Sequence, residues 1–258
     1  MNIKLSNRLQ YIADLVPQGS RLADIGSDHA LLPVFLAKQE RVPFAVAGEV
    51  NQGPYDAARR QVRATRLEQV VDVRKGNGLA VIQPGEIDCV TIAGMGGSLI
   101  VQILSADESK LTGVSRLVLQ PNVGEELVRQ WLRDNGWALI HEHILEEDGK
   151  IYEILHAERS DADHVNAALA DAKLYAPRKL SNGITLDEQW LLKLGPMLSV
   201  EATDVFVAKW KSEIKKQERV LHTMAQTDAE EVAERRALFA AKKAELEAIV
   251  ECLQKDKR

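Results

Sequence analysis

Between residues 5 and 159, short apolar runs of strand length alternate with stretches of helical periodicity, and nothing else in the chain limits its fold as tightly. Strand-like runs lie at 21–25, 44–50, 70–74, 87–92 and 116–119, and helical patterns at 31–39, 54–66, 98–104 and 125–135. Parallel strands need crossovers between them, so this order predicts a parallel sheet with helices on both faces. An opening helix is expected over 5–16, where Leu5, Leu9, Ile12, Ala13 and Val16 share a face before Pro17-Gln18-Gly19 breaks the pattern. Two last runs, 137–145 and 151–157, are joined by Glu146-Glu147-Asp148-Gly149-Lys150, whose Asp-Gly pair suits an antiparallel hairpin.

A parallel sheet that ends in an antiparallel hairpin resembles the plan of the class I, Rossmann-like methyltransferases, and that α/β fold is the expectation. Composition shifts after Arg159: 160–176 is polar with scattered alanine, and the pattern is helical from Ala202 onward. Positions 207, 210, 214, 217, 221 and 224 read Val, Trp, Ile, Gln, Leu, Met at heptad spacing, and Thr227-Asp228 interrupts them. A second register at 232, 235, 239, 242, 246, 249 and 253 reads Val, Arg, Phe, Lys, Leu, Ile, Leu. Two such helices predict an antiparallel hairpin or coiled coil, the alternative being an appendage packed on the main domain. The expected division is therefore 1–159 and 160–258.

Cys89 and Cys252 lie far apart with no Cys or His cluster, so neither a disulfide framework nor a metal site is expected. The first ten residues lack an apolar signal core, and no run reaches the roughly 18 apolar residues of a spanning helix. The expectation is a cytoplasmic monomer that uses no membrane. A net charge of −5 and 5% aromatics argue at first against nucleic acid. The charge is uneven, however: residues 1–80 hold 11 basic and 8 acidic side chains, 81–160 hold 6 and 13. Arg59, Arg60, Arg63 and Arg66 fall in an acid-free window, 57–67, at helical spacing. Lys209, Lys211, Lys215, Lys216 and Arg219 form a second cluster, and Arg8 is a third candidate, each with a plain solvated surface as its alternative.

The sharpest local signal is Asp24-Ile25-Gly26-Ser27-Asp28-His29-Ala30, where the first strand gives way to a helix. Gly26 permits a tight turn and close approach of a ligand, and Glu49, ending the second strand, can accept both hydroxyls of a ribose. A nicotinamide dinucleotide would set its pyrophosphate on a second glycine, where this chain has Asp28. An acidic loop suits a cationic sulfonium better. Gly76-Asn77-Gly78-Leu79 offers Asn77 to an adenine edge, or is an ordinary turn. Thr91 to Gly97 carries three glycines in four positions, which fits close approach of a ligand. Gln120 and Asn122 end the fifth strand, either as substrate contacts or as caps of the next helix.

These motifs, with Lys4-Leu5-Ser6-x-Arg8-Leu9, Ala47-Gly48-Glu49-Val50-x-x-Gly53-Pro54, the 144–150 segment, and Gly195-Pro196-x-Leu198 followed by Trp210, resemble the bacterial tRNA (adenine-N1)-methyltransferases of the TrmK family. Asn77 departs from that family, which often has Asp in this turn, and 159–180 is longer than usual. The resemblance implies a Rossmann-like catalytic domain, a C-terminal coiled coil, S-adenosyl-L-methionine as cofactor, and N1 of adenine 22 of tRNA as methyl acceptor. It implies cofactor contacts at Asp24, Gly26, Ser27, Glu49, Val50, Asn77, Gly78, Ala93 and Gly94. Substrate contacts are expected at Arg8, Arg59, Arg60, Arg63, Met95, Gly96, Gln120 and Asn122. Positive charge develops on the base as the methyl arrives, so a nearby carboxylate helps, and Asp28 is the expected catalytic residue, with helix capping as its alternative. His29 is expected to pack or to support.

Overall fold

The computed structural model describes residues 3–159, 164–226 and 230–257. The chain forms two compact units, Met1–Ala172 and Lys173–Arg258. The first contains α1 (Asn7–Leu15), β1 (Arg21–Ile25), α2 (Leu31–Lys38), β2 (Phe44–Glu49), α3 (Gln52–Thr65), β3 (Val71–Lys75), β4 (Cys89–Met95), α4 (Gly97–Ser105), β5 (Arg116–Pro121), α5 (Glu125–Asp134), β6 (Trp137–Glu147) and β7 (Lys150–Arg159).

Seven strands form one sheet in the order β3-β2-β1-β4-β5-β7-β6. The five central strands are parallel and β7 and β6 run antiparallel at the edge. Both faces are covered, which is why the inner strands read as nearly continuous apolar runs. On one face Ile12 and Ala13 of α1, Leu32, Val34 and Leu36 of α2, and Ala58 and Val62 of α3 pack on Leu22, Ala45, Ala47 and Val71. On the other, α4 and α5 bury Ile100, Leu104, Val128 and Leu132. Each Val, Leu or Ile among them contributes roughly 1.5–3 kcal/mol by leaving water.

The hairpin forms as Asp148-Gly149 predicts: both residues have positive φ, 52° and 71°, and Glu147 faces Lys150 across a two-residue loop. Its turn also pins the first helix. The Glu147 carboxylate accepts hydrogen bonds from the backbone N–H groups of Asn7 and Arg8, and Ser6 Oγ accepts from Leu9 N at 3.2 Å. Donors otherwise orphaned at the α1 N-terminus are thereby satisfied. Beneath α5, Arg129 is fully buried between Glu142 of β6, at 2.6 Å, and Glu153 of β7, at 2.5 Å.

The polar 160–176 stretch contains a helix, α6 (His164–Leu174), which the scattered polarity concealed although alanine is the strongest helix former. In the second unit a small hairpin, β8 (Arg178–Lys179) with β9 (Thr185–Leu186), leads to α7 (Glu188–Leu194), α8 (Leu198–Glu201), α9 (Asp204–Met224) and α10 (Glu230–Asp256). The last two run antiparallel: Lys257 pairs with Asp204 at 3.0 Å, Lys211 with Gln254 at 2.9 Å, and Lys243 with Glu218 at 3.2 Å. Val207, Trp210 and Ile214 are buried as the first register predicts, and so are Leu246, Ile249 and Leu253 of the second. Arg235 and Lys242 are exposed instead, with half-buried Arg236 and Lys243 on the seam. Long basic side chains lay their methylenes along apolar surface, which hides them from a hydrophobic count. Thr227, Asp228 and the side chain of Val232 lie outside the described residues. Among the described residues no helix is long and apolar enough to cross a membrane, and no cluster of His, Cys, Asp or Glu could hold a metal ion.

Candidate active site

The loops that leave the carboxyl ends of the parallel strands gather at one edge of the sheet, where a Rossmann-like fold binds its ligand. The β1 loop rests on β2: Gly26 N and Ser27 N both donate to Gly48 O, at 2.9 and 3.2 Å. Gly26 has φ +72°, and a Cβ there would run into the Met95 methyl. Asp24 sits beneath this turn with Oδ2 accepting from Ser27 Oγ and Oδ1 from Thr91 Oγ1, each at 2.6 Å. Burial raises its pKa even against those two hydroxyls. Asp24 thus braces the loop from below. Thr91, which sequence reasoning left without a role, faces Asp24 directly in the β1–β4 register.

Asp28, His29 and Ala30 follow with φ of 32°, 63° and 55°. Three consecutive non-glycine residues in the left-handed region are strained, and such strain collects at functional sites. It turns the Asp28 and His29 side chains outward, 84% and 59% exposed, with His29 Nε2 3.6 Å from Asp28 Oδ1. The capping alternative for Asp28 is not realised, because the N-cap of α2 is Ala30 and no side chain bonds there. Nor does His29 pack: its exposure puts it at the rim. Asp28 N donates to Glu49 Oε1 at 2.8 Å, which ties the β1 loop to the end of β2. Glu49 is buried, and burial lifts its pKa. Val50 beside it is exposed. Past β3, Asn77 is exposed at the start of a single turn, makes no capping bond, and precedes Gly78 at φ +54°.

The β4 and β5 ends are knitted together. A bulge between Ala93 and Met95 pushes Gly94 out of register at φ +79°. Gly94 N donates to Gln120 Oε1 at 3.1 Å, Asn122 Nδ2 to Gly94 O at 2.8 Å, Asn122 N to Met95 O at 2.7 Å, and Gly97 N to Val123 O at 2.7 Å. Gln120 also accepts from Arg8 Nη1, while its Nε2 donates to Pro121 O and Asn122 Oδ1. A fully buried amide with four such bonds is saturated. Neither Gln120 nor Asn122 caps α5, whose N-cap is Gly124. Arg8 arrives from α1, half-buried, its guanidinium 5.0 Å from the centre of the Tyr152 ring. Gly96, Ala93 and Met95 line the same loop.

Arg59, Arg60 and Arg63 stand apart on the exposed flank of α3, with Arg66 just past its end. Arg59 lies 5.6 Å from the centre of the Tyr55 ring. No ion pair engages these four among the described residues.

The strand order with its antiparallel edge, together with a carboxylate-lined glycine turn where a phosphate cradle would otherwise be, defines the class as a Rossmann-like methyltransferase. Residues 22–247 match the family described as tRNA (adenine(22)-N(1))-methyltransferase, TrmK, and the chain belongs to it. It is 44% identical over 224 residues to the tRNA (adenine(22)-N(1))-methyltransferase of Bacillus subtilis, covering 87% of each chain. The crystal structure of B. subtilis TrmK is similar at a TM-score of 0.82 and 40% identity, over 96% of this chain and 100% of that one. Streptococcus pneumoniae Sp1610, solved in complex with S-adenosyl-L-methionine, is similar at 0.77 and 38% identity, over 96% and 100%.

Proposed function

We propose that this chain transfers the methyl group of S-adenosyl-L-methionine to N1 of adenine 22 in tRNA. The observation that carries this reading is the meeting, at one sheet edge, of buried Glu49, the bulged Gly94 loop and outward-turned Asp28. The residues fit that cofactor. One Glu49 oxygen accepts the Asp28 N–H, leaving the other to a ribose hydroxyl, and burial makes an added donor welcome. Asp28 is open to solvent where a sulfonium is tolerated and a phosphate repelled. Asp24 and Ser27 support the Gly26 turn against the cofactor, Asn77 and Gly78 meet the adenine side, and Val50, Ala93 and Gly94 line the wall.

When bound, the cofactor supplies an electrophilic methyl carbon on sulfur. Adenine N1 would bond to that carbon through an in-plane lone pair as the carbon–sulfur bond breaks, S-adenosylhomocysteine would leave as a neutral thioether, and the positive charge would pass to the base; N1 has no proton to lose, so the protein needs no general base and serves to align the reactants and stabilise charge. Asp28 faces the positive charge that grows on the base. Met95, Gly96 and Asn122 hold the base, which must leave any stack or pair before its Watson–Crick edge can react. Arg59, Arg60 and Arg63 take tRNA phosphates. Every one of these residues comes from 1–159, so a monomer suffices, with 160–258 as the helical coiled-coil domain. The protein works in the cytoplasm, with tRNA. The test is Asp28→Ala: turnover should fall about 100-fold while calorimetric affinity for S-adenosylhomocysteine is kept, and near-normal turnover removes Asp28 from the mechanism.

A further inference from the structure

Among the described residues of the first unit, the most exposed large apolar side chain is Val123, at 67%. It precedes Gly124, the N-cap of α5, where an apolar residue ordinarily folds down onto the fourth helical position as a staple. That position, Val128, is fully buried, and Val123 stands out in solvent instead. Its backbone is fixed on both sides. Val123 O accepts from Gly97 N at 2.7 Å, and the preceding Asn122 donates through N to Met95 O at 2.7 Å and through Nδ2 to Gly94 O at 2.8 Å. A Cβ added to Gly96 would lie 3.9 Å from Val123 Cγ2, so the side chain leans toward the glycine loop of β4. The starts of α4 and α5 touch at Gly97 and Gly124, and each exposes a leucine in its first turn, Leu99 and Leu127.

One exposed valine is ordinary; three apolar side chains gathered where two helices start, at the mouth of a candidate site, mark a contact surface. Its neighbours disfavour a phosphate. The first turn of α5 adds Glu125 and Glu126, and residues 81–160 hold 13 acidic side chains against 6 basic ones. On a tRNA, such a rim can meet the uncharged face of a base. The target adenine has to leave its stack before N1 is reachable, and an apolar side chain inserted in its place steadies the opened step. Valine is stiff at χ1 and loses little side-chain freedom on insertion. We propose that Val123 is the wedge that enters the tRNA stack when the target adenine swings into the site, with Leu127 as the apolar shoulder beside it. This role rests on the methyltransferase reading and adds a residue that acts on the stack rather than on the reacting atoms. An aliphatic wedge also suits a chain with only 5% aromatics.

A tRNA transcript with 2-aminopurine at position 22 reports the step, because that base brightens when it leaves a stack. With S-adenosylhomocysteine and saturating wild-type protein, its fluorescence should rise severalfold. Val123→Ala should lose most of that rise and slow single-turnover methylation of the ordinary transcript about 10-fold, the worth of two methyl groups withdrawn from an apolar contact. Val123→Ile should keep both signals. Affinity for tRNA, read by anisotropy, should stay within about threefold in either variant, because phosphate contacts dominate it. Melting temperatures should match wild type, since the side chain is exposed. An unchanged fluorescence rise and rate in Val123→Ala would overturn the proposal and leave the apolar rim to a protein partner. Weaker tRNA binding with a wild-type rate at saturation would overturn it in favour of a simple docking contact. Wild-type protein that methylates tRNA without brightening the probe would overturn the wedge alone. Wild-type protein that binds the cofactor yet transfers nothing to tRNA would overturn the methyltransferase reading, and the wedge with it.

Discussion

Gly97 is the point at which the β4 loop can be tested with a single methyl group. It opens α4 with an ordinary backbone, so alanine there should gain about 0.5–1 kcal/mol from helix propensity alone. The surroundings oppose this. A Cβ would overlap the Gly124 carbonyl oxygen, lie 2.8 Å from the Gly124 carbonyl carbon and 3.1 Å from Val123 O. All three are backbone atoms, so no side chain can swing aside. Overpacking of this kind costs about 1–3 kcal/mol, which outweighs the propensity gain and leaves a net loss of about 1–2 kcal/mol. For a unit of this size the melting temperature should drop by roughly 2–8 °C. Separation of the two loops also strains the Gly97 N–Val123 O bond and shifts the Gly94 network, so methyl transfer should fall further than the melting temperature explains. Gly53 is the control: it lies in the first turn of α3 with nothing but its chain neighbours within 4 Å of an added Cβ, and since Pro54 disfavours a helical residue with a Cβ before it, which offsets the entropy gain, Gly53→Ala should change stability by less than about 1 kcal/mol. Scanning calorimetry with a methyl-transfer assay reads both variants. A Gly97→Ala protein that melts at or above wild type with full activity would refute the close packing of the two loops.

Arg129→Met should destabilise the first unit by about 3–5 kcal/mol in urea titration, because Glu142 and Glu153 stay buried without their cation; a loss below about 1 kcal/mol would mean that the carboxylates escape to water. Burial foremost, and then the Arg116 charge, push His156 down to about 4, so it folds neutral. The unfolded chain binds the proton more readily, and stability should therefore decline as pH falls from about 6.5 toward 4. His156→Gln should flatten that part of the profile in chemical denaturation, and an unaltered profile would assign the acid sensitivity elsewhere. Reversing the charges of Arg59, Arg60 and Arg63 should weaken tRNA binding and reduce the dependence of log K on log salt by up to about three ions; an unchanged slope would take α3 out of the interface.

Much of this molecule is legible along its sequence because the periodicities are local. The five parallel strands and the Asp148-Gly149 hairpin follow from runs of a few residues, as does the end of β2 at Glu49. What was hidden depends on strand order. Gln120 reads as a substrate contact or a cap; only the adjacency of β4 and β5, with a bulge at Gly94, makes it a saturated hub. Thr91 finds Asp24, and Arg8 finds Gln120, across long stretches of chain that no spacing rule spans. The strain at Asp28, His29 and Ala30 is likewise silent, since none of the three is glycine. In the tail, the seam drifts from Arg235 and Lys242 to Arg236 and Lys243, since charged side chains with long stems serve where a strict heptad expects apolar ones.

The proposed activity is tested most directly by incubating the protein with unmodified tRNA and S-adenosylmethionine labelled in its methyl group, then mapping the product by primer extension. A methyl on N1 blocks the Watson–Crick edge, so the account predicts one new stop at adenine 22, label in 1-methyladenosine, and neither when that adenine is replaced by guanine. Label at another nucleotide, or no transfer to tRNA by protein that binds the cofactor, would contradict it.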